Sequence, residues 1–355
     1  MNASTATGTT ATDNLRHDCV QCARTAPLRR RFPLWRVSAR ESPFSAVGRT
    51  PLGRFAPSPT GPLHAGSLLA ATGSYLDARA QGARWLVRIE DLDTPRVVPG
   101  CADDMLRTLD AYGFEWDGAV LYQSARREAY RAALAQLTAA GRLFACSCSR
   151  KDLAGVNVTD GDDQPQGYPG TCRNGPTRPG QPTARRFRVS DRRIQFDDLF
   201  LGRQEFDLAN CGDVVVERRD GLTSYQLAVV IDDAHQEVTR VVRGADLLSS
   251  TPWQMDLQDA LALPRPSYGH LPLVLDPDGS KLSKSRHAVP LTRDAIPAAL
   301  TSTLTLLSQR PPPELAAAPI KDVWNWAVAH WDPQALAGRH SAALSAGSDT
   351  KAVST

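Results

Sequence analysis

Two stretches of this chain carry residue types suited to holding a triphosphate: Pro62-Leu63-His64-Ala65-Gly66-Ser67 and Lys281-Leu282-Ser283-Lys284-Ser285. The first places an imidazole and an unhindered glycine backbone where a strand runs into a helix, whose N-terminal N–H groups attract anions. Gly66 lets a flat base or ribose approach the main chain, and His64 can donate to a phosphate oxygen. The second stretch offers two ammonium groups on a loop of small polar residues, set off by the turn Asp276-Pro277-Asp278-Gly279. Each alone is a weak signal, because a histidine at a helix start or an exposed lysine loop is usually structural. Taken together, in this order and between strands, they predict a clamp with positive charge on both sides of a reacting phosphate.

Such groups need a sheet to position them. A strand over Leu52 to Ala56 feeds the loop Pro57 to Pro62, and a helix follows with Leu68, Leu69, Thr72, Tyr75 and Leu76 on one face. Trp85 to Ile89 is a second strand, closed by Glu90-Asp91-Leu92-Asp93, and helical segments follow around 101–112 and 124–140. This alternation predicts an α/β fold, a Rossmann-type doubly wound parallel sheet. Residues 155–182, rich in Gly, Pro, Asp and Gln, predict loops of an inserted α+β module, with antiparallel strands between 184 and 217. Ser224 to Asp232 and Leu271 to Leu275 are predicted as buried strands returning to the first sheet. A helix bearing Trp324, Trp326 and Trp331 follows Pro311-Pro312-Pro313.

The expected organisation is an N-terminal extension (1–49), the first half of the catalytic domain (50–145), the inserted module (146–222), the second half with the lysine loop (223–288), a short helical segment (289–340) and a tail (341–355). Residues 1–50 hold eight arginines against Asp13, Asp18 and Glu41, leaving −2 of the total +3 on the remainder. That segment lacks a signal-peptide core, and its two aspartates fit a transit peptide poorly, so a disordered extension or an overextended gene start is expected. The 355 residues are 42% hydrophobic without an apolar run of membrane-spanning length. No membrane association is expected. Seven cysteines, an odd number, do not read as a disulfide framework, and a reducing cytoplasm is expected. Net charge decides nothing about nucleic acid.

Cys146-x-Cys148 and Cys172 provide three thiolates, against the four ligands of a structural zinc site, and no histidine lies between Cys148 and His235. Buried free thiols are the alternative, although a loop-rich module without a core needs a staple. His17, Cys19 and Cys22 are assigned nothing, and Cys101 and Cys211 are expected in the core.

The run Gly53-Arg54-Phe55-Ala56-Pro57-Ser58-Pro59-Thr60-Gly61-Pro62-Leu63-His64-Ala65-Gly66-Ser67-Leu68 resembles the first signature of class I aminoacyl-tRNA synthetases in its glutamyl form, and Lys281 to Ser285 the second. Arg88 to Asp93, Ser224 to Ala228 and Arg243 to Leu248 also match that group, over about residues 51–290. The first signature departs from the usual His-x-Gly-His by ending in Ser67. The resemblance implies attack of a glutamate carboxylate on the α-phosphorus of ATP, served by positioning and by cations, with Mg²⁺ bridging the phosphates. His64, Lys281 and Lys284 are then catalytic, and Gly66 and Ser67 complete the ATP site. Glutamate, with two carboxylates and an ammonium, requires arginines and an acid. The resemblance places Arg54, Phe55, Ala56, Pro57, Ser58, Glu90, Tyr225 and Arg243 in its pocket. It also makes Tyr168 the fourth ligand of one structural Zn²⁺ per chain.

A full glutamyl enzyme continues with a long helical anticodon-binding region, whereas seventy residues follow Ser285 here. The chain is therefore similar to the short paralogues that place glutamate on queuosine in the tRNA(Asp) anticodon, and Arg243-Gly244-Ala245-Asp246 in place of Arg-Gly-Glu-Asp supports that. A monomer is expected. Arg185, Arg186, Arg188, Arg192 and Arg193 are candidate RNA backbone contacts, or else merely solvated. The alternatives are ordinary transfer to tRNA(Glu) and a non-catalytic RNA-binding relative.

Overall fold

The computed structural model describes residues 51–153, 167–275 and 289–343. The N-terminal extension, much of the Gly/Pro-rich stretch, the Asp276–Gly279 turn and the lysine loop with Lys281 and Lys284 lie outside those residues.

The strands are β1 (Leu52–Phe55), β2 (Arg84–Ile89), β3 (Leu121–Tyr122), β4 (Leu143–Cys146), β5 (Ala184–Phe187), β6 (Arg193–Asp198), β7 (Gly202–Asp207), β8 (Val214–Glu217), β9 (Arg240–Gly244), β10 (Ser267–Leu271), β11 (Leu273–Leu275) and β12 (Ser341–Ala343). The helices are α1 (Ala65–Arg79), α2 (Cys101–Ala111), α3 (Arg127–Ala139), α4 (Arg150–Leu153), α5 (Leu208–Cys211), α6 (Tyr225–His235), α7 (Thr251–Ala260), α8 (Ile296–Leu306) and α9 (Ile320–Ala329).

β1, β2 and β3 form one parallel ladder and β9 with β10 another. The two meet at β1 and β9, where the Thr239 N–H donates to Leu52 O at 3.0 Å and the Leu52 N–H to Thr239 Oγ1 at 2.8 Å. The chain therefore leaves β1 toward β2 and β3 on one side and returns through β9 and β10 on the other. Between these halves β4, β5 and β8 pair antiparallel, and β6 and β7 form a hairpin.

Three expectations change. Residues Ser224 to Asp232 are the start of α6 rather than a strand. A short apolar run does not distinguish a buried helix from a buried strand by its pattern. Here the run must carry the chain from β8 to β9, and Leu227 to Val230 are all buried within it. Leu271 to Leu275 is split by Pro272, which cannot donate to a ladder. Leu271 ends β10, while β11 pairs in parallel with β12, so residues 341–343 belong to a strand rather than a tail.

Helix α1 is also buried on more than one face, at Leu68, Leu69 and every residue from Ala71 through Ala78. It packs against the sheet on one side and against α8 and α9 on the other. An aromatic cluster joins these layers. Tyr75 meets Trp85 edge-on at 5.1 Å and Trp324 at 4.8 Å, with Phe114 stacked on Trp85 at 5.6 Å. The Trp324 indole N–H donates to Tyr112 O at 2.9 Å. Truncating Trp324 to Ala removes that packing and orphans a buried carbonyl. We expect a loss of about 3–5 kcal/mol, read as a lowered denaturation midpoint in urea.

Candidate active site

The carboxyl ends of β1, β2 and β9 open into one cavity of about 750 Å³. It lies where the chain's path through the sheet reverses, the place where parallel α/β sheets hold ligands.

One part of its wall is the start of α1. His64 is the N-cap in extended conformation, and its Nδ1 accepts from the Gly66 N–H at 3.1 Å and the Ser67 N–H at 3.4 Å. An accepting Nδ1 leaves the proton on Nε2, free to donate toward an anion. Burial lowers the His64 pKa, which favours that neutral form. A Cβ at Gly66 would come within 3.0 Å of the His64 ring, so this glycine makes room for the cap as well as for a ligand. His64, Gly66 and Ser67 all face the cavity. The chain re-enters beside them after the lysine loop: Pro290 bridges His64, and the Leu291 N–H donates to Leu63 O at 2.8 Å. Leu273 and Val274, just before that loop, line the same cavity.

The other part holds the residues expected at glutamate. Arg54, Phe55, Ala56, Pro57 and Ser58 run from β1 into the loop, Glu90 follows β2, Tyr225 opens α6 and Arg243 lies near the end of β9; all of them line the cavity. Arg54 donates from Nε to Asp233 Oδ1 at 3.1 Å. Arg88, fully buried, donates to the same oxygen at 2.8 Å and to Glu90 Oε1 at 3.3 Å. Burial opposes ionisation of Asp233, but Arg54 and Arg88 outweigh it and hold the carboxyl below its ordinary value. Burial likewise works against the Arg88 charge, yet Asp233 and Glu90 keep its pKa raised. Glu90 goes the other way: burial pushes its carboxyl up, with only partial relief from Arg88 and Arg54.

Arg243 is set differently. It donates to Gln254 Oε1 at 2.8 Å, Thr251 Oγ1 at 2.9 Å, His270 Nε2 at 3.2 Å, Tyr225 OH at 3.3 Å and Leu247 O at 3.3 Å. Among the described residues its hydrogen-bond partners include no carboxylate. Sequence reasoning missed Arg88, Asp233, Gln254, Thr251 and His270. The available signal was a charge inside an apolar run, as with Arg88 between Val87 and Ile89, since such residues are seldom buried unpaired.

A second cluster lies in the inserted region. The sulfurs of Cys146, Cys148 and Cys172 fall within 4.8 Å of one another. The Tyr168 hydroxyl stands 3.4 Å from Cys146 Sγ and 3.7 Å from Cys148 Sγ, and accepts from the Cys172 N–H at 2.7 Å. Tyr168 is fixed by a bridge to Gly212, whose φ of +67° suits glycine and where a Cβ would meet Tyr168 N at 2.2 Å. Burial opposes ionisation of Cys172, but hydrogen bonds from Tyr168 and the Thr177 and Ser147 backbones bring its thiol down to about 5. A tetrahedral zinc with bonds of about 2.3 Å spaces its sulfurs by about 3.8 Å, close to the 3.5 Å between Cys148 and Cys172. The residues fit such an ion. Cys101 and Cys211 are buried thiols, as expected.

Of the arginines expected at RNA, only Arg186 is buried; the other four are partly or largely exposed. Arg186 is buried, donating to Asp213 O at 2.8 Å and stacking over Tyr168 at 3.9 Å, which excludes it as an RNA contact. Arg185 pairs with Glu217, Arg188 donates to Arg173 O, Arg192 reaches Asp256 and Asp259, and Arg193 pairs with Glu205.

Residues 52–307 match the family described as tRNA synthetases class I (E and Q), catalytic domain. A glutamyl-Q tRNA(Asp) synthetase from Dechloromonas aromatica is 55% identical over 280 residues, spanning 79% of this chain and 93% of its own. One from Geobacter sulfurreducens is 52% identical over 293 residues, spanning 80% and 93%. Among solved structures, a glutamate tRNA ligase from Elizabethkingia meningosepticum in complex with its amino acid superposes with a TM-score of 0.68 at 24% identity, covering 84% of this chain and 68% of that one. That last likeness concerns the fold alone. With identities above half over nearly the full length of such relatives, the chain belongs to the glutamyl-Q tRNA(Asp) synthetases within the class I (E and Q) family.

Proposed function

We propose that the protein activates glutamate with ATP and transfers it to queuosine in the anticodon of tRNA(Asp). The observation that carries the reading is a single cavity joining an anion-ready helix start to a guanidinium that, among the described residues, bonds no carboxylate. ATP lies with its phosphates toward His64 and the N-terminus of α1. Lys281 and Lys284, which follow the cavity-lining Leu273 and Val274 in sequence, are assigned to the ATP phosphates, which Mg²⁺ would bridge. A glutamate carboxylate oxygen attacks the α-phosphorus, pyrophosphate leaves, and glutamyl-adenylate forms. A queuosine hydroxyl then attacks the glutamyl carbonyl, loses its proton and releases AMP. Arg243 and Arg54 receive the carboxylates of glutamate, and Glu90 its ammonium group. Preorganised cations act here on charge as it develops, with no protein nucleophile.

The sheet with its crossing helices is read as the Rossmann-type, doubly wound core, and the antiparallel insert as its zinc-bearing module. Zn²⁺ would be held by Cys146, Cys148, Tyr168 and Cys172, where it supplies folding energy rather than chemistry. The Arg186 guanidinium over the Tyr168 ring, and 3.3 Å from Cys146 Sγ, offsets the negative charge of such a centre. Thiols that stay reduced suit the cytoplasm.

The decisive experiment incubates the protein with labelled glutamate, ATP and tRNA. Label on the anticodon of queuosine-containing tRNA(Asp) is expected; label on the acceptor end of tRNA(Glu) would replace this reading with ordinary aminoacylation. In glutamate-dependent ATP–pyrophosphate exchange, Arg243→Ala should raise the glutamate KM about tenfold or more, the worth of a hydrogen-bonded charge, with the ATP KM unchanged. Metal analysis should find one zinc per chain, and Cys172→Ser should lower that content while reducing thermal stability.

A further inference from the structure

Arg243 is braced by a histidine that does not itself line the cavity. His270 stands opposite Arg243 in the β9–β10 ladder and is fully buried. Its Nε2 lies 3.2 Å from Arg243 Nε and 3.2 Å from Thr251 Oγ1. A guanidinium can only donate, so Nε2 must accept and the ring proton must sit on Nδ1. At Nδ1 the Asp198 Oδ2 is 2.5 Å away. Asp198 is the last residue of β6, in the tip of the inserted hairpin. Its Oδ1 accepts from the backbone N–H groups of Phe200 at 3.0 Å, Leu201 at 3.0 Å and His270 at 3.1 Å. The carboxylate is thereby immobilised, and it fixes both the tautomer and the tilt of the ring.

We propose that His270 and Asp198 are positioning residues for Arg243, which fix the guanidinium toward a substrate carboxylate and tie the β6–β7 hairpin to the amino-acid end of the cavity. The inference rests on the glutamate-activation reading. Its chemical logic is selective. A carboxylate touching Arg243 directly would orient it but also neutralise it, and a protonated histidine would repel it. A neutral imidazole with its proton on Nδ1 orients the guanidinium and leaves the charge for the ligand. Asp198 supplies the negative group one ring removed, where it sets the tautomer instead of competing for the guanidinium.

The test uses the full chain in glutamate-dependent ATP–pyrophosphate exchange, with glutamate and ATP each varied, alongside thermal melting. His270→Phe keeps the ring's bulk and removes the acceptor. Asp198→Asn keeps Oδ1 for the three backbone N–H groups but turns an amide N–H toward Nδ1. That forces the ring to carry its proton on Nε2, against Arg243. Both substitutions should raise the glutamate KM about tenfold or more while the ATP KM holds and kcat stays within about threefold. His270→Gln, which restores an acceptor near Arg243 Nε, should recover most of the loss. An unchanged glutamate KM in folded Asp198→Asn, parallel rises in both KM values, or a Gln variant no better than Phe would overturn the proposal. If Phe abolishes cooperative melting, the Asn and Gln variants decide by the same criteria. Absence of exchange in the unsubstituted protein would overturn the glutamate-activation reading as well, which separates the two failures.

Discussion

Asp233 accepts hydrogen bonds from Arg54 and Arg88 through the same carboxylate oxygen, and three segments distant in sequence depend on that meeting. Arg54 comes from β1, Arg88 from β2 and Asp233 from α6, so the carboxylate draws the crossover helix onto the carboxyl edge of the sheet. Arg88 also reaches Gln236 at 2.8 Å at the end of the same helix. Burying such charges costs several kcal/mol per ion, and only close pairing recovers it. The network is therefore weak evidence for stability and stronger evidence for geometry. It fixes Arg54 and Glu90 at the cavity wall, where a neutral pair would leave them free to fold back.

The site divides its charges into two kinds. Arg54, Arg88, Asp233 and Glu90 form a linked group in which two guanidiniums face two carboxylates. Within that group the cations are already answered. Arg243 stands apart among acceptors that are all uncharged in the tautomer its geometry requires. A cation held in this way suits a ligand with more negative than positive charge, and glutamate is such a ligand. Its ammonium meets Glu90, whose burial-raised carboxyl gains a partner on binding. Among the described residues Arg243 is oriented by neutral acceptors rather than by an anion.

Much of this was legible in the sequence and some was not, for identifiable reasons. The strand–loop–helix from Leu52 to Leu76, the acidic end of β2 and the three clustered cysteines could be read locally, because turn residues and thiol spacing announce themselves at short range, whereas Tyr168 came only from the family resemblance. The crossover at Tyr225 to His235 was misread as a strand, since a helix buried on several faces loses its 3.6-residue signature. The strand character of Leu273 to Leu275 was read, but not its pairing with β12, which lies far along the chain in a segment with little pattern of its own. The supporting residues were invisible for a deeper reason. Gln254, Thr251, His270 and Asp198 become a brace for Arg243 only once β9, β10, α7 and the β6 hairpin converge, and no local rule encodes that convergence.

The arginines of the inserted region illustrate how charge in sequence can mislead about partners. Arg192 pairs with Asp256 and Asp259 on α7, and Arg142 also reaches Asp256 at 3.0 Å. Ser190 donates to the same carboxylate at 2.7 Å, Trp253 donates from its indole to Gly212 O at 2.8 Å, and Arg218 reaches Asp93 at 2.9 Å. Together with Asp198 and His270 these contacts lash the insert to the catalytic sheet along several lines. These ties couple the insert to α7 and to the catalytic sheet at several points. Recognition of an anticodon loop then turns on complementarity of form and splayed bases. The contacts behind Arg243 are the innermost of these ties, joining the β6–β7 hairpin to the strands that border the cavity.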